Sequence, residues 1–215
     1  MPDYSNYMRQ TACVDSLRTI LATEGLRSIT LGGELSIAAG RFLHMVTNPG
    51  TVIELHVDGG LMMGALRPSP SLEWDEDIAA KFANLRSLRL SRLVLSIDLD
   101  GNEMSGQMIR TLVMDGVEIS QGRLSMLTGE AVEHLEVSGG NAGEQEEEVQ
   151  EMLARGVRTV RYRVCGEYER VRGVFGRTME RLPLLRGIMA EGVEVDEETV
   201  RRRCPRLEWL EVIAG

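Results

Sequence analysis

The side chains best suited to chemistry in this sequence are three histidines, His44, His56 and His134, and three cysteines, Cys13, Cys165 and Cys204, together with one glycine-rich turn. Imidazoles ligate metals or relay protons, and thiolates ligate or attack, provided that the fold gathers them. The spacing gives no sign of such gathering. The cysteines are an odd, widely separated set with no CxxC and no Cys/His cluster, which fits buried free thiols rather than a disulfide framework or a zinc site. Ser, Asp and His can be combined on paper into a triad, yet no GxSxG turn presents a nucleophile. The turn in VSGGNAGEQEEEVQEM leads from a strand-like segment into a helix-like one, as phosphate-binding loops do. Its Gly139, Gly140 and Gly143 lack GxGxxG spacing, however, and Glu144, Glu146, Glu147 and Glu148 would repel a phosphate. The expectation is therefore no catalytic residue, no metal site and no cofactor.

Composition sets the frame in which any site must sit. At 215 residues, 43% hydrophobic and 27% charged, the chain can bury a core of its own. The opening MPDYSNYMRQ has no apolar leader and no run approaches eighteen apolar residues, so no signal peptide or membrane span is expected, and the expected compartment is cytoplasmic or nuclear. A net charge of −9 opposes general attraction to nucleic acid or anionic lipid, although a local basic patch is compatible with it. Of the 24 basic residues only Lys81 is a lysine. Arginine offers a planar fork to carboxylate or phosphate, but a GC-rich genome would produce the same bias.

What positions these side chains is a repeat. IRTLVMDGVEIS, from Ile109, and LRGIMAEGVEVD, from Leu185, share one pattern of apolar residues and a turn glycine, Gly116 or Gly192. The apolar spacing 0, +3, +5 recurs as LRSITL from Leu26, VIELHV from Val52, LRSLRL from Leu85, VEHLEV from Val132, VRTVRY from Val157 and LEWLEV from Leu207. Eight copies follow one another at intervals of 22 to 33 residues. Offsets +3 and +5 share one face of a strand, because side chains alternate with period two.

Between the strands, SIAAGRFLHMV, DEDIAAKFA, EQEEEVQEMLARG, YERVRGVFGRTMERL and DEETVRRRC have helical apolar spacing and acids near their first turns. Val149, Met152 and Leu153 form one such stripe, closed by Gly156. Neither a short one-sided strand nor a short one-sided helix can bury its apolar side alone. Stacking the units in parallel solves both problems, with the outer strands roughly 34 Å apart at about 4.8 Å per step.

LxxLxL at this period resembles the leucine-rich repeat family, and RRRCPRLEWLEV resembles the helix-to-strand passage in the repeat arrays of F-box proteins. The resemblance implies an α/β horseshoe of about eight strand-turn-helix repeats with a parallel concave sheet over residues 25–215. At offset +8 the family carries Asn or Cys, which this chain matches only with Cys165, so irregular turns are expected in place of an asparagine ladder. Residues 1–24 place Val14, Leu17, Ile20 and Leu21 on one helical face, suited to an N-terminal cap but too short for an F-box module. The 33-residue interval after Val52 holds Pro68 and Pro70, with Met62, Met63 and Trp74 as adaptable apolar surface. It predicts a loop from Leu61 to Asp77, read either as a tolerated surface loop or as a second binding element. RLVLSIDLDG from Arg92 alternates like an additional strand. The last strand leaves an open sheet edge, to be covered by a partner, by chain beyond Gly215, or by Trp209 and the terminus.

Offsets +1, +2 and +4 point away from the core and form a grid. Its +1 column holds Arg27, Arg86, Arg110, Arg158 and Arg186, interrupted by Ile53, Glu133 and Glu208. The +4 column adds Arg89 and Arg161 beside His56, Val113, Glu136, Met189 and Glu211. On this grid His56 and His134 stand three strands apart, about 14 Å, too far to share a metal or a proton. The leading expectation is a non-enzymatic scaffold that binds another protein through Arg27, Glu54, His56, Arg86, Arg89, Arg110, His134, Arg158, Arg161, Arg186 and Trp209. Two alternatives are the substrate-recognition part of an F-box-type ubiquitin ligase receptor, implied by the resemblance, and RNA or ribonucleoprotein binding by the arginine column. Five interrupting glutamates weigh against the latter and would pair with the arginines across strands.

Overall fold

Strands form where LxxLxL alternates, and helices where the apolar spacing lengthens to three or four. The computed structural model describes residues 22, 24–33, 36, 39–60, 70–99, 108–128, 132–139, 145–164, 174–176 and 179–213. In chain order the strands are β1 (Ser28–Gly32), β2 (Glu54–Asp58), β3 (Ser71–Asp75), β4 (Ser87–Ser91), β5 (Val94–Asp98), β6 (Thr111–Asp115), β7 (Glu118–Gln121), β8 (His134–Gly139), β9 (Thr159–Val164), β10 (Gly187–Glu191) and β11 (Trp209–Ile213). The helices are α1 (Ala39–Met45), α2 (Glu76–Lys81), α3 (Leu124–Thr128), α4 (Glu146–Arg155) and α5 (Glu197–Arg203).

Eight strands build one open, wholly parallel sheet in the order β1-β2-β4-β6-β8-β9-β10-β11. Each begins two residues after the first apolar residue of its copy, and the +3 positions fall in one unbroken row: Ile29, Leu55, Leu88, Leu112, Leu135, Val160, Ile188 and Leu210. All but Leu210 are buried. Ile109, Leu112 and Met114 occupy the same slots as Leu185, Ile188 and Ala190, none of the six more than 1% exposed.

A second parallel sheet, β3-β5-β7, follows the turns after β2, β4 and β6. Its β5 is the additional strand expected after Arg92 and α2 is the helix expected from Asp75, but β3 replaces the loop expected over residues 71–75. Trp74 is correspondingly not adaptable surface. It alternates with Leu72, and both are 0% exposed. The rest of that predicted loop, residues 61–69, lies outside the described residues. Val193 makes only a single β-bridge and Val195 lies in irregular chain, both half-buried, so the second twelve-residue phrase does not repeat β7 as a strand.

The described turns after β2, β4 and β6 share one hydrogen-bond pattern. The Gly59 amide donates to the Ser91 carbonyl at 2.8 Å, Arg92 to Asp115 at 2.7 Å and Gly116 to Ser138 at 2.7 Å, which prolongs the sheet ladder past the strand ends without asparagines. Gly116 and Gly192 make the same turn at φ 61° and 71°. Arg92 does so at 52°, the one non-glycine with positive φ among the described residues.

The helices share one hydrophobic core with the two sheets, and α1, α2 and α3 lie closest to β3 and β5 of the small one. Asp75 caps α2 by accepting from the Ile78 amide at 2.7 Å, and Asp196 caps α5 by accepting from the Thr199 amide at 3.0 Å. Acids begin α5 and Arg201, Arg202 and Arg203 end it, matching the helix dipole. In α4, Val149, Met152 and Leu153 are buried as the stripe predicts, and Gly156 follows at φ 147°. The short α3 was not apparent from the spacing; its first amide, at Leu124, donates to Glu148 of α4 at 2.6 Å. Residues 174–176 and 179–182 are turn and irregular chain rather than the expected helix, and they still give Val174, Phe175, Met179 and Leu182 to the core. Phe175 sets its ring edge against Tyr162, 6.1 Å between centroids at 80°. Apart from residues 22 and 24, the predicted cap lies outside the described residues. No helix among the described residues is long and apolar enough to cross a membrane.

Candidate functional site

The large sheet turns its +1, +2 and +4 side chains away from the core, and every predicted partner-binding residue lies there, exposed or half-exposed. The backbone fixes their spacing. The amides of Ile53, Arg86, Arg110, Glu133, Arg158, Arg186 and Glu208 each donate to the carbonyl of the preceding +1 residue, from Arg27 onward, at 2.7 to 2.9 Å. The arginine column is thus carried on one continuous hydrogen-bonded row with a step of about 4.8 Å.

Charge is distributed unevenly along that row. Glu133 lies between Arg110, at 3.8 Å, and Arg158, at 3.6 Å; Arg161 meets Glu136 at 3.6 Å and Arg186 meets Glu208 at 3.4 Å. Arg27, Arg86 and Arg89 have no carboxylate within ion-pair distance among the described residues. Cross-strand pairing therefore neutralises the β6 to β11 half of the face and leaves the β1 to β4 half positive.

Two further features flank the charges. On the positive half, His56 sits beside Arg89; burial, then Arg89 and Arg92, lower its pKa against the opposing pull of Asp58, so the ring is neutral at neutral pH. Asp58 holds Arg92 by a two-pronged contact at 2.6 and 2.7 Å and also accepts from the Gly60 amide at 2.9 Å. On the neutralised half, a depression of about 250 Å³ is lined by Thr111, Val113, His134, Glu136, Thr159 and Arg161 and walled by Trp209. His134 Nδ1 and Thr159 Oγ1 are 2.6 Å apart within it. Trp209 is 44% exposed, with its indole lying over Gly187.

Sequence spacing brought the eleven predicted residues to one face but did not reveal this recess, because Thr159 and Gly187 carry no charge or aromatic ring. The signal was positional: Thr111, His134, Thr159, Gly187 and Trp209 all occupy offset +2 and align in register.

The histidines and cysteines are not gathered into one centre. His44 is on α1, 3.4 Å from the Asp75 carboxylate. His56 and His134 are three strands apart in the sheet. Cys204 is buried at the end of α5, and burial pushes its thiol up to about 11. No group of three or more His, Cys, Asp or Glu able to hold a metal occurs among the described residues. Cys13 and Cys165 lie outside them. The open edge expected at the last strand is present at β11, where Leu210 is half-buried and Val212 is 41% exposed. Compared with protein-family models, with characterised proteins and with solved structures, the chain matches none.

Proposed function

We propose that this chain is a non-enzymatic protein-interaction module of the leucine-rich-repeat type, working in the cytoplasm or nucleus, with the large sheet on the concave side of a horseshoe and a partner protein held against it. The observation that carries the reading is the exposed face itself: seven arginines on a rigid ladder, three without carboxylate partners among the described residues, beside a recess walled by tryptophan. Arginine and tryptophan are the residues that most often anchor protein interfaces. The ubiquitin-ligase receptor is the more particular form of this reading and rests on the repeat resemblance.

Affinity capture with the intact protein tests it. A partner retained in about 0.5 M salt and lost with Trp209→Ala supports protein recognition. RNA or ribonucleoprotein binding is a second reading, favoured by the unneutralised Arg27, Arg86 and Arg89. A partner that is nuclease-sensitive and released steeply by salt would establish that reading in place of the first.

A further inference from the structure

The face divides into a part that attracts carboxylates and a part that receives a side chain, and their separation specifies a ligand. Arg89 on β4 and Arg86, one residue before that strand, have no carboxylate partner among the described residues. One strand over, on β6, Thr111 and Val113 begin the recess, which is centred on His134 and Glu136 of β8 and ends at Trp209. Its volume of about 250 Å³ is below the range usual for drug-sized ligands and suits one side chain. Glu136 and Arg161 meet at 3.6 Å and neutralise one another, so the recess offers a carboxylate no net attraction. An acidic group is drawn instead to the unneutralised Arg86 and Arg89, and an apolar one finds its contact on the indole and Val113.

We infer that the partner presents an extended segment that crosses the strands, with an apolar side chain in the Trp209 recess and acidic residues two and four positions away on Arg86 and Arg89. The spacing follows from geometry. From β4 to β8 is two strand steps, about 10 Å, an extended chain advances about 3.3 Å per residue, and its side chains alternate, so the same-facing residues two and four positions away bracket that span. This inference rests on the protein-binding reading above and gives that partner a chemistry.

The molecule contains its own reporter. Of its two tryptophans, Trp74 is 0% exposed and Trp209 is 44% exposed, so acrylamide quenching reads Trp209. The probes are two synthetic peptides of one composition, about nine residues long: one with Glu two and four positions from a Leu, the other with both Glu next to it. The spaced peptide is expected to protect Trp209 from acrylamide and to bind about tenfold more tightly than the adjacent one. It should lose about tenfold in affinity with the Arg86→Glu/Arg89→Glu variant, and less than about twofold with Arg201→Glu, on α5 and outside the sheet face. Circular dichroism melting confirms that these surface variants fold.

Equal binding of the two peptides, or indifference to the β4 reversal, overturns the inference. So does a short single-stranded RNA that binds more tightly than either peptide through the same arginines. A captured partner protein that needs Trp209 but ignores Arg86 and Arg89 would remove this ligand chemistry while leaving protein binding in place.

Discussion

The Trp209 indole rests directly on Gly187 of the neighbouring strand, so closely that a Cβ at Gly187 would come within 2.2 Å of two ring carbons. The wall of the recess exists because one residue lacks a side chain. Gly187→Ala is predicted to lift the indole and raise its acrylamide quenching while changing stability by less than about 1 kcal/mol, since the ring can swing into solvent. Unchanged quenching in that variant would show that Trp209 is seated by something else.

Facing within each strand gives the sharpest stability contrast. Leu88 is 0% exposed whereas Arg86, two residues earlier, is exposed. Leu88→Asp places an unpaired charge in the core and is predicted to cost more than about 3 kcal/mol, unfolding much of the sheet. Arg86→Glu should stay within about 0.5 kcal/mol of the wild type in thermal melts. Comparable losses from both would contradict the assigned faces.

The two repeated turns should differ in their tolerance of a side chain. Gly116 and Gly192 both have positive φ, but a Cβ at Gly192 would sit 2.4 Å from the Val164 carbonyl oxygen, whereas at Gly116 the nearest atom is Cγ of Arg92 at 3.7 Å. Gly116→Ala is expected to cost about 1 kcal/mol for the backbone alone, and Gly192→Ala at least about 2 kcal/mol. Chemical denaturation of the pair measures the difference, and the reverse order would be incompatible with the turn geometry.

Two carboxylates should give opposite pH dependences. Burial alone would raise the Asp58 pKa, but hydrogen bonds from Arg92 and the Gly60 amide outweigh it and hold the group below 3.8. Its stabilising effect is therefore complete above that value and lost as pH falls through the lower, folded pKa. Burial raises Glu148 above 4.5 against the opposing Leu124 amide, with Glu147 and Glu151 adding to the rise and Arg123 opposing it. The folded state then holds the Glu148 proton more tightly than the unfolded chain, and stability falls as pH climbs through the window just above 4.5. In melts across this range, wild type should lose ground to Glu148→Gln on going from about pH 4 to pH 7, while its advantage over Asp58→Asn should shrink below about pH 4. Differences that do not vary with pH would rule out both assignments.

Cys204 offers a chemical test of the core. With its thiol buried and its pKa raised to about 11, it should remain unalkylated by iodoacetamide near pH 8 in the native protein and react fully in denaturant. Peptide mapping separates it from Cys13 and Cys165. Rapid native labelling would mean that the end of α5 opens far more readily than its packing implies.

The large sheet was legible because each copy writes the same three apolar positions, and burial on one face leaves no freedom of register. The small sheet was legible only at β5. Pro68 and Pro70 drew attention to a loop and masked the Leu72/Trp74 alternation, which has the same period as Leu95/Ile97 in its partner strand. The arginine column could be counted from the sequence, and the placement of Glu133 between two arginines followed from the repeat. Which arginines stay unneutralised depended on side-chain reach between strands, and the recess depended on a glycine that only the register sets under Trp209. The short helix α3 had too few residues for a periodic signal, its first amide being satisfied by Glu148 from a different repeat.

Sheet order here is chain order, and each rung of the large sheet bonds to the rung synthesised just before it. No strand must wait for a later one to be threaded between its neighbours. The protein can therefore grow on the ribosome as a wall grows by courses, each newly emerged repeat settling on a finished edge.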